Sequence, residues 1–389
     1  SRSGVPEIQR TRLDQTVLRL AHAGVRAEEL LFLHQPDPTD IADARSVLRI
    51  LGCMDVNGSV SSLGYRVSRM PLSVPYARMI VEAERRGVVP EVITIAAIME
   101  TGGILRHWRQ PWRHLCGTED SSDALAQLTA FNAVADMSAD EKEEAGILLR
   151  AYYHAKEIRR LLRRRLRGSV DVDHSTSSRD DIIKSVVSGL IHNLYRLDSG
   201  RFVGARGDLR QLSRSTVVLD ADLLVAVPFD LEVSNGNGSH TLPLLTMATR
   251  VDEEMLREIA PHLVTSQSRV SPRYDPRRGE VISHTVVYAG GIRVSEEAHP
   301  DPDHPDAATL RAAWQQTDVQ SLERQYAQLV GQLCQLQVAA FNDRAKHELL
   351  SRIQRFTDVF SLDDAPEDPT VWVQQARELA QEAELELGA

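Results

Sequence analysis

Residues 155–168, AKEIRRLLRRRLRG, hold the densest run of positive charge in the chain. On a helix, Arg159, Arg160, Arg163, Arg164 and Arg167 fall at i, i+1, i+4, i+5 and i+8 and share one face. Ala155, Ile158, Leu162 and Leu166 lie opposite, so the segment reads as an amphipathic helix with a cationic outer side. Cations packed along one face repel each other. Phosphates that neutralise them release counterions, which makes such binding strongly salt-dependent. The plainer reading is a surface helix whose arginines pair with the acidic 140–144 stretch or with the acidic tail.

Two further segments could touch nucleic acid. GARGDLRQLSRST offers Arg206, Arg210 and Arg214 with Ser213 and Ser215, polar groups suited to phosphate on a strand edge or loop. RHWRQPWRH interleaves Trp108 and Trp112 with Arg106, Arg109 and Arg113. Its tryptophans could stack on bases, but packing against a bundle is the reading favoured here. His107, His114 and Cys116 match no common zinc spacing and lack a fourth ligand, so no metal is expected.

Nucleotide chemistry has no carrier in this sequence. A P-loop needs GxxxxGK[ST], because its lysine must reach the terminal phosphates while backbone amides cradle them. None of Lys142, Lys156, Lys184 and Lys346 stands in that setting. No catalytic residue and no cofactor is expected within these 389 residues.

The elements that would position these groups fall into several domains, as the length requires. Net charge is −10, yet residues 301–389 alone carry 7 basic and 16 acidic side chains, so the body is nearly neutral and can hold a basic stripe. Cys53, Cys116 and Cys334 are far apart and form no CxxC pair, which fits a reducing compartment. No apolar run is long enough to span a bilayer and no signal peptide is visible, so a cytoplasmic protein is the default expectation.

Along the chain, Ala42, Val47, Leu48 and Leu51 recur at helical spacing before Gly52. Asn57-Gly58 suggests a two-residue type I′ turn between short strands, and LGYRVSRM a second helix. Helical patterns continue to about residue 197, including PEVITIAAIMET, DALAQLTAFNAVADM and an S-x-x-E capping box at Ser138 and Glu141. Between about 202 and 294 the period changes to two, through RFVGARGD, STVVLD, LLVAVPFDLEV, TLPLLTMATRV, RGEVISHTVVYA and GGIRVSEE. That pattern, with DEEMLREIAPHLV as an interposed helix, predicts a five-stranded OB-type barrel. Beyond a Pro/Asp linker, Leu322, Tyr326, Leu329, Leu333 and Leu336 mark the seam of a helical hairpin or short coiled coil.

The order LGCMD…NG.VSSLG..VSRMPLSVPYARMI resembles the winged helix that follows the two motor domains of DEAH-box RNA helicases. Further matches to that family are Pro6, Glu7, Ile8, Arg10 and Leu13 in the entry segment. PLSVPYARMIVEA, Ser122-Asp123, Glu157-Ile158-Arg159 with Leu162, and Ile183, Lys184, Gly189 and Asn193 continue the series. YDPRRGEVISHTVVYAGGIRVSEE is nearest to the bacterial HrpB/HrpA-like branch. The resemblance covers roughly residues 5–297 and implies an α+β multidomain chain. Its parts would be a connector helix (1–35), a winged helix (36–75), a helical ratchet bundle (76–197), an OB-fold barrel (198–297) and an acidic helical extension (298–389).

Such a region would grip single-stranded RNA, or DNA, for motor domains that lie outside this sequence and use ATP and Mg²⁺. An activator protein at the winged helix is a further implied partner. The chain then reads as the C-terminal part of a longer protein. Two rival functions stand beside this one. A winged-helix transcription regulator would read DNA through Arg66 and Arg69, and an interaction scaffold would self-associate through Leu322, Leu329, Leu333 and Leu336.

Overall fold

Short polar residues and prolines set the helix starts, and glycines set many of the ends. The computed structural model describes residues 7–25, 37–106, 111–198, 200–235, 238–275, 278–340, 347–359, 362, 365 and 369–387. It divides into two units, residues 1–266 with 287–295, and residues 267–286 with 296–389.

In the first unit α1 (Glu7–His22) is followed by α2 (Pro38–Ile50), whose Asp37 carboxylate accepts the Thr39 N–H at 2.9 Å. Gly52, at φ +72°, turns the chain out of α2 toward α3 (Ser62–Ser68). Between them the expected two-residue type I′ turn and strands are replaced by a longer turn, in which the Asp55 N–H donates to the Ser59 carbonyl at 2.9 Å. Only Gly58 takes a positive φ (+84°), the Gly58 N–H donates to the Asp55 carbonyl at 3.1 Å, and a single bridge joins Met54 to Val60. The Asp55 carboxylate accepts from the N–H groups of Asn57 and Ser59, so a side chain does the work assigned to Asn57 backbone geometry.

The helical bundle consists of α4 (Val74–Arg86), α5 (Val89–Glu100), α6 (Asp123–Ala133), α7 (Ala139–Glu144), α8 (Leu149–Leu166) and α9 (Arg179–Leu190). Its centre is α5, where Val92, Ile93, Ile95, Ala96, Ala97 and Ile98 are all buried. The β-branched run argues for a strand, but burial on every side overrides local preference. α4 packs on α9, where a Cβ on Gly189 would sit 2.3 Å from the Pro75 carbonyl oxygen. The S-x-x-E box forms as expected, with Ser138 and Glu141 capping each other at the start of α7.

β1 (Leu194–Asp198), β2 (Arg201–Gly204), β3 (Leu209–Leu212), β4 (Leu223–Asn235) and β5 (Gly238–Arg250) close a barrel in the order β1-β2-β3-β5-β4. The β3–β5 contact is parallel and the other pairings are antiparallel. The barrel therefore runs from 194 to 250, where the sequence suggested 198–297. STVVLD is not a strand. Its Val217 and Val218 are buried by docking beside α6, which mimics strand-like burial. The helix α10 (Glu253–Ile259) follows the barrel, and β6 (Val264–Asp275), β7 (Glu280–Ala289) and β8 (Ile292–Pro300) form a separate three-stranded sheet.

The second unit holds the distal parts of that sheet and α11 (Ala307–Gln315), α12 (Val319–Ala340), α13 (His347–Thr357) and α14 (Pro369–Leu387). Leu329, Leu333 and Leu336 are buried against Leu349, Ile353, Phe356, Trp372 and Leu379, with Leu322 packed at the margin. The seam is thus filled within the chain by α13 and α14. Tyr326 ties the three helices together by donating to the Phe356 carbonyl at 2.8 Å and accepting the Trp372 indole N–H at 2.9 Å.

Candidate nucleic-acid interface

The cationic helix forms where the sequence puts it, and its direction is fixed at its start. At its start, Arg106 donates its N–H to the Gly146 carbonyl at 2.9 Å and Leu105 bridges Ile147. Gly146 is required there: φ is +85° and a Cβ would meet the Pro111 ring at 2.6 Å. Tyr152, Ala155, Leu162 and Leu166 are buried, and α8 lies against α5.

The opposite side of α8 is a row of charge facing solvent. Arg160, Arg164 and Arg167 are exposed, while Arg159 and Arg163 are half-buried. Arg159 stacks its guanidinium 4.9 Å from the Phe131 ring centre, and burial, followed by the nearby Arg163 charge, pulls its pKa down. Arg160 pairs with Glu157 at 2.7 Å. Asp173 bridges Arg163 at 2.8 Å and Arg167 at 3.4 Å. Arg164 makes no ion pair among the described residues. Pairs this exposed are weak and exchange readily with a competing anion.

Two members of this face were missed in the sequence. Lys156 and Tyr153 are exposed and fall on the same helical stripe as Arg160 and Arg163. A helical wheel extended one turn toward the N-terminus finds both. Tyr153 adds an aromatic surface, edge-on to Tyr152 at 5.4 Å between ring centres, next to a line of phosphate-sized charges. Among the described residues, no carboxylate of the 140–144 stretch, one of the two partners in the plainer reading, is ion-paired with the row. Glu157 and Asp173 are the carboxylates that pair with it.

The barrel arginines are placed differently. Arg206 is exposed and ion-paired to Asp43 of α2 at 2.8 Å. Arg210 is largely covered and held between Asp208 at 2.9 Å and Asp230 at 2.8 Å. Both therefore brace the barrel in this structure. Arg214 is exposed and also has an interaction partner.

Other sequence candidates resolve into packing. Trp112 is fully buried and donates its indole N–H to the Arg106 carbonyl at 2.7 Å. His107, Trp108 and Arg109 lie outside the described residues. Cys116 is buried, and desolvation raises its thiol pKa to about 11, which makes it a core residue. In the short helix α3, Arg66 is ion-paired with Glu84, and Arg69, just past its end, lies over the Tyr65 ring, so both proposed base-reading groups are engaged within the chain.

A second charge cluster has no counterpart in the sequence reading. Arg86, with a side chain only 6% exposed, donates to Glu82 at 2.8 Å, Asp181 at 3.0 Å and Glu258 at 2.7 Å. Lys184 joins Glu258 at 2.7 Å, so α4, α9 and α10 share one ion network. Hydrogen bonds from Lys184 and then Arg86 hold the Glu258 carboxyl at about 2. Its members lie up to 172 residues apart, which no local pattern could reveal.

Comparison with known proteins adds a family context. Residues 73–126 match the helicase associated domain (HA2), described as ratchet-like. The human probable ATP-dependent RNA helicase DHX35 is 24% identical over 279 residues, covering 69% of this chain and 39% of that protein. The Pongo abelii protein of the same name is 24% identical over 270 residues, covering 67% and 37%. The chain thus spans about two fifths of the length of these relatives. The crystal structure of the E. coli DExH-box NTPase HrpB is similar at 19% identity with a TM-score of 0.49, covering 96% of this chain and 43% of that one. Among the described residues no helix is long and apolar enough to cross a membrane.

Proposed function

We propose that this chain, which is homologous to the C-terminal region of DEAH-box RNA helicases, is the part of an ATP-dependent RNA helicase that holds the single strand. α2, its one-bridge turn and α3 act as a winged helix. The bundle α4–α9 is the ratchet. The closed barrel, with β3 parallel to β5, is an OB-fold. ATP and Mg²⁺ belong to adjoining motor domains, and the winged helix is the surface on which an activator protein would dock.

One observation carries the reading. α5, inside the matched ratchet-like segment, packs against α8, whose far side presents Lys156, Arg159, Arg160, Arg163, Arg164 and Arg167 along one stripe. A strand laid along that stripe is held by its phosphates, which gives affinity without sequence preference. Such a grip suits a translocating machine because every step presents the same charge.

The test is fluorescence anisotropy of a labelled oligouridylate with the whole chain across a salt series. Affinity should fall with log salt at a slope of about −0.7 per neutralised phosphate. The double change Arg160→Ala and Arg164→Ala should flatten that slope. Tighter binding to a defined duplex than to the single strand, or salt-independent binding, would reject the proposal.

A further inference from the structure

β4 and β5 continue beyond the barrel wall as a two-stranded ribbon, paired from Leu224↔Arg250 to Asn235↔Gly238. β1 covers β4 only at residues 223–225, and β3 covers β5 only at Leu244 and Leu245. Among the described residues, β4 from 226 onward has no strand on its other edge. A long open edge is a template for another strand.

One side of this ribbon is apolar. Side chains alternate along a strand, so Phe229, Leu231 and Val233 share a face with Leu242 and Leu244 across the pair Leu231↔Leu242. Counting back from Gln211↔Leu244 in the neighbouring strand puts Leu209 on the same side. Leu209, Phe229, Leu231 and Leu242 are between 38% and 49% exposed, although large aliphatic and aromatic side chains normally seek cover. The other face carries Asp230 and Glu232. Asp230 is held by Arg210, whereas Glu232 has no ion pair among the described residues.

We infer that the outer edge of β4 accepts an extended strand of a partner protein that alternates apolar and basic residues. The apolar side chains of that strand would cover Phe229 and Leu231. Its basic ones would meet Glu232 and Asp230, and its backbone would satisfy the open edge. A second copy of this chain fits poorly. In antiparallel pairing, the registers that keep the apolar faces together, with Leu231 opposite 229, 231 or 233 of its copy, set carboxylate against carboxylate: 230 with 230, 230 with 232, or 232 with 232. Like charges directly opposite are destabilising. This surface is separate from the α8 stripe and does not depend on the proposed RNA grip.

The experiment uses the whole chain and labelled synthetic octapeptides, followed by anisotropy. An alternating valine–arginine peptide should bind at least ~10-fold more tightly than an alternating valine–glutamate peptide. N-methylation at every second residue of the valine–arginine peptide should abolish the binding, because it removes edge hydrogen bonds. Glu232→Lys should reverse the charge preference, and Leu231→Asp should weaken the valine–arginine peptide ~10-fold. Thermal melting verifies that each variant is folded, and Glu232→Lys changes only an exposed side chain. Equal binding of the N-methylated peptide would overturn strand addition. So would a Leu231→Asp change that dissolves a dimer in light scattering, or one that removes oligouridylate binding instead.

Discussion

Asp123, at the first turn of α6, accepts the backbone N–H of Ala248 in β5 through Oδ2 at 2.9 Å. Its other oxygen takes the Val217 N–H at 2.7 Å and the Thr216 hydroxyl at 3.0 Å. One buried carboxylate thus fastens the ratchet-like bundle to the barrel, at the positive end of a helix where negative charge is favoured. Asp123→Asn replaces one acceptor by an amide that faces an N–H donor. It should cost about 1–3 kcal/mol in urea unfolding, since a buried donor loses its partner.

The same carboxyl gives a pH signature. Burial raises its pKa from 3.8 to about 6, and the three hydrogen bonds only partly offset that rise. Between those values the folded chain keeps a proton that the unfolded chain has released. Its contribution to stability is therefore complete below pH 3.8 and is lost as pH rises through 6. Glu258 behaves oppositely. Its folded pKa of about 2 means that its contribution is present above pH 4.5 and is lost as pH falls through 2. Glu258→Gln should remove that acid-side loss and destabilise the chain by roughly 1–2 kcal/mol at pH 7, because Arg86 loses one of three carboxylates. Unfolding midpoints recorded from pH 2 to 8 for both variants resolve the two effects.

Gly189 lies where α9 crosses α4, and an added methyl would overlap the Pro75 carbonyl. Gly189→Ala should therefore destabilise by about 1–3 kcal/mol despite the better helix propensity of alanine. A rise in melting temperature would contradict this packing.

Leu333 is fully buried in the bundle of α12, α13 and α14. Leu333→Ala should cost about 2–5 kcal/mol of that bundle's stability while the mass in light scattering stays unchanged. A concentration-dependent mass lost in the variant would restore a role for the seam between copies.

On α8, Tyr153 should matter through its ring rather than its hydroxyl. Tyr153→Ala should weaken oligouridylate binding ~10-fold, within the range of base stacking on aromatics, whereas Tyr153→Phe should leave it nearly unchanged. Equal losses in both variants would point to the hydroxyl instead.

Much of the bundle was legible in the sequence because its signals are local. The α8 face, the Ser138–Glu141 box and the PEVITIAAIMET helix all depend on residues within a turn or two of each other. Gly189 and Ser122-Asp123 stood out only through their resemblance to a family, and the structure supplies the physical reasons: close helix crossing and a carboxylate latch. What failed was long-range. Val217 and Val218 read as strand because they are buried, but Asp123 and α6 bury them, not a ladder. The leucines of α12 announce a partner helix without saying whose, and α13 and α14 fill that place. The Arg86 network joins three helices whose sequences each look like ordinary charged surface.

Two residue pairs, Gln211↔Leu244 and Leu212↔Leu245, join β3 to β5, and two more, Phe202↔Arg210 and Val203↔Leu209, join it to β2. A cylinder stitched so briefly on both sides of one strand has a tear strip. Thermal opening should start there, exposing β3 amides to deuterium exchange well before the long β4–β5 ladder yields. The side-chain bridge from Arg210 to Asp230 then becomes the tie that keeps this strip shut after its few backbone bonds have let go.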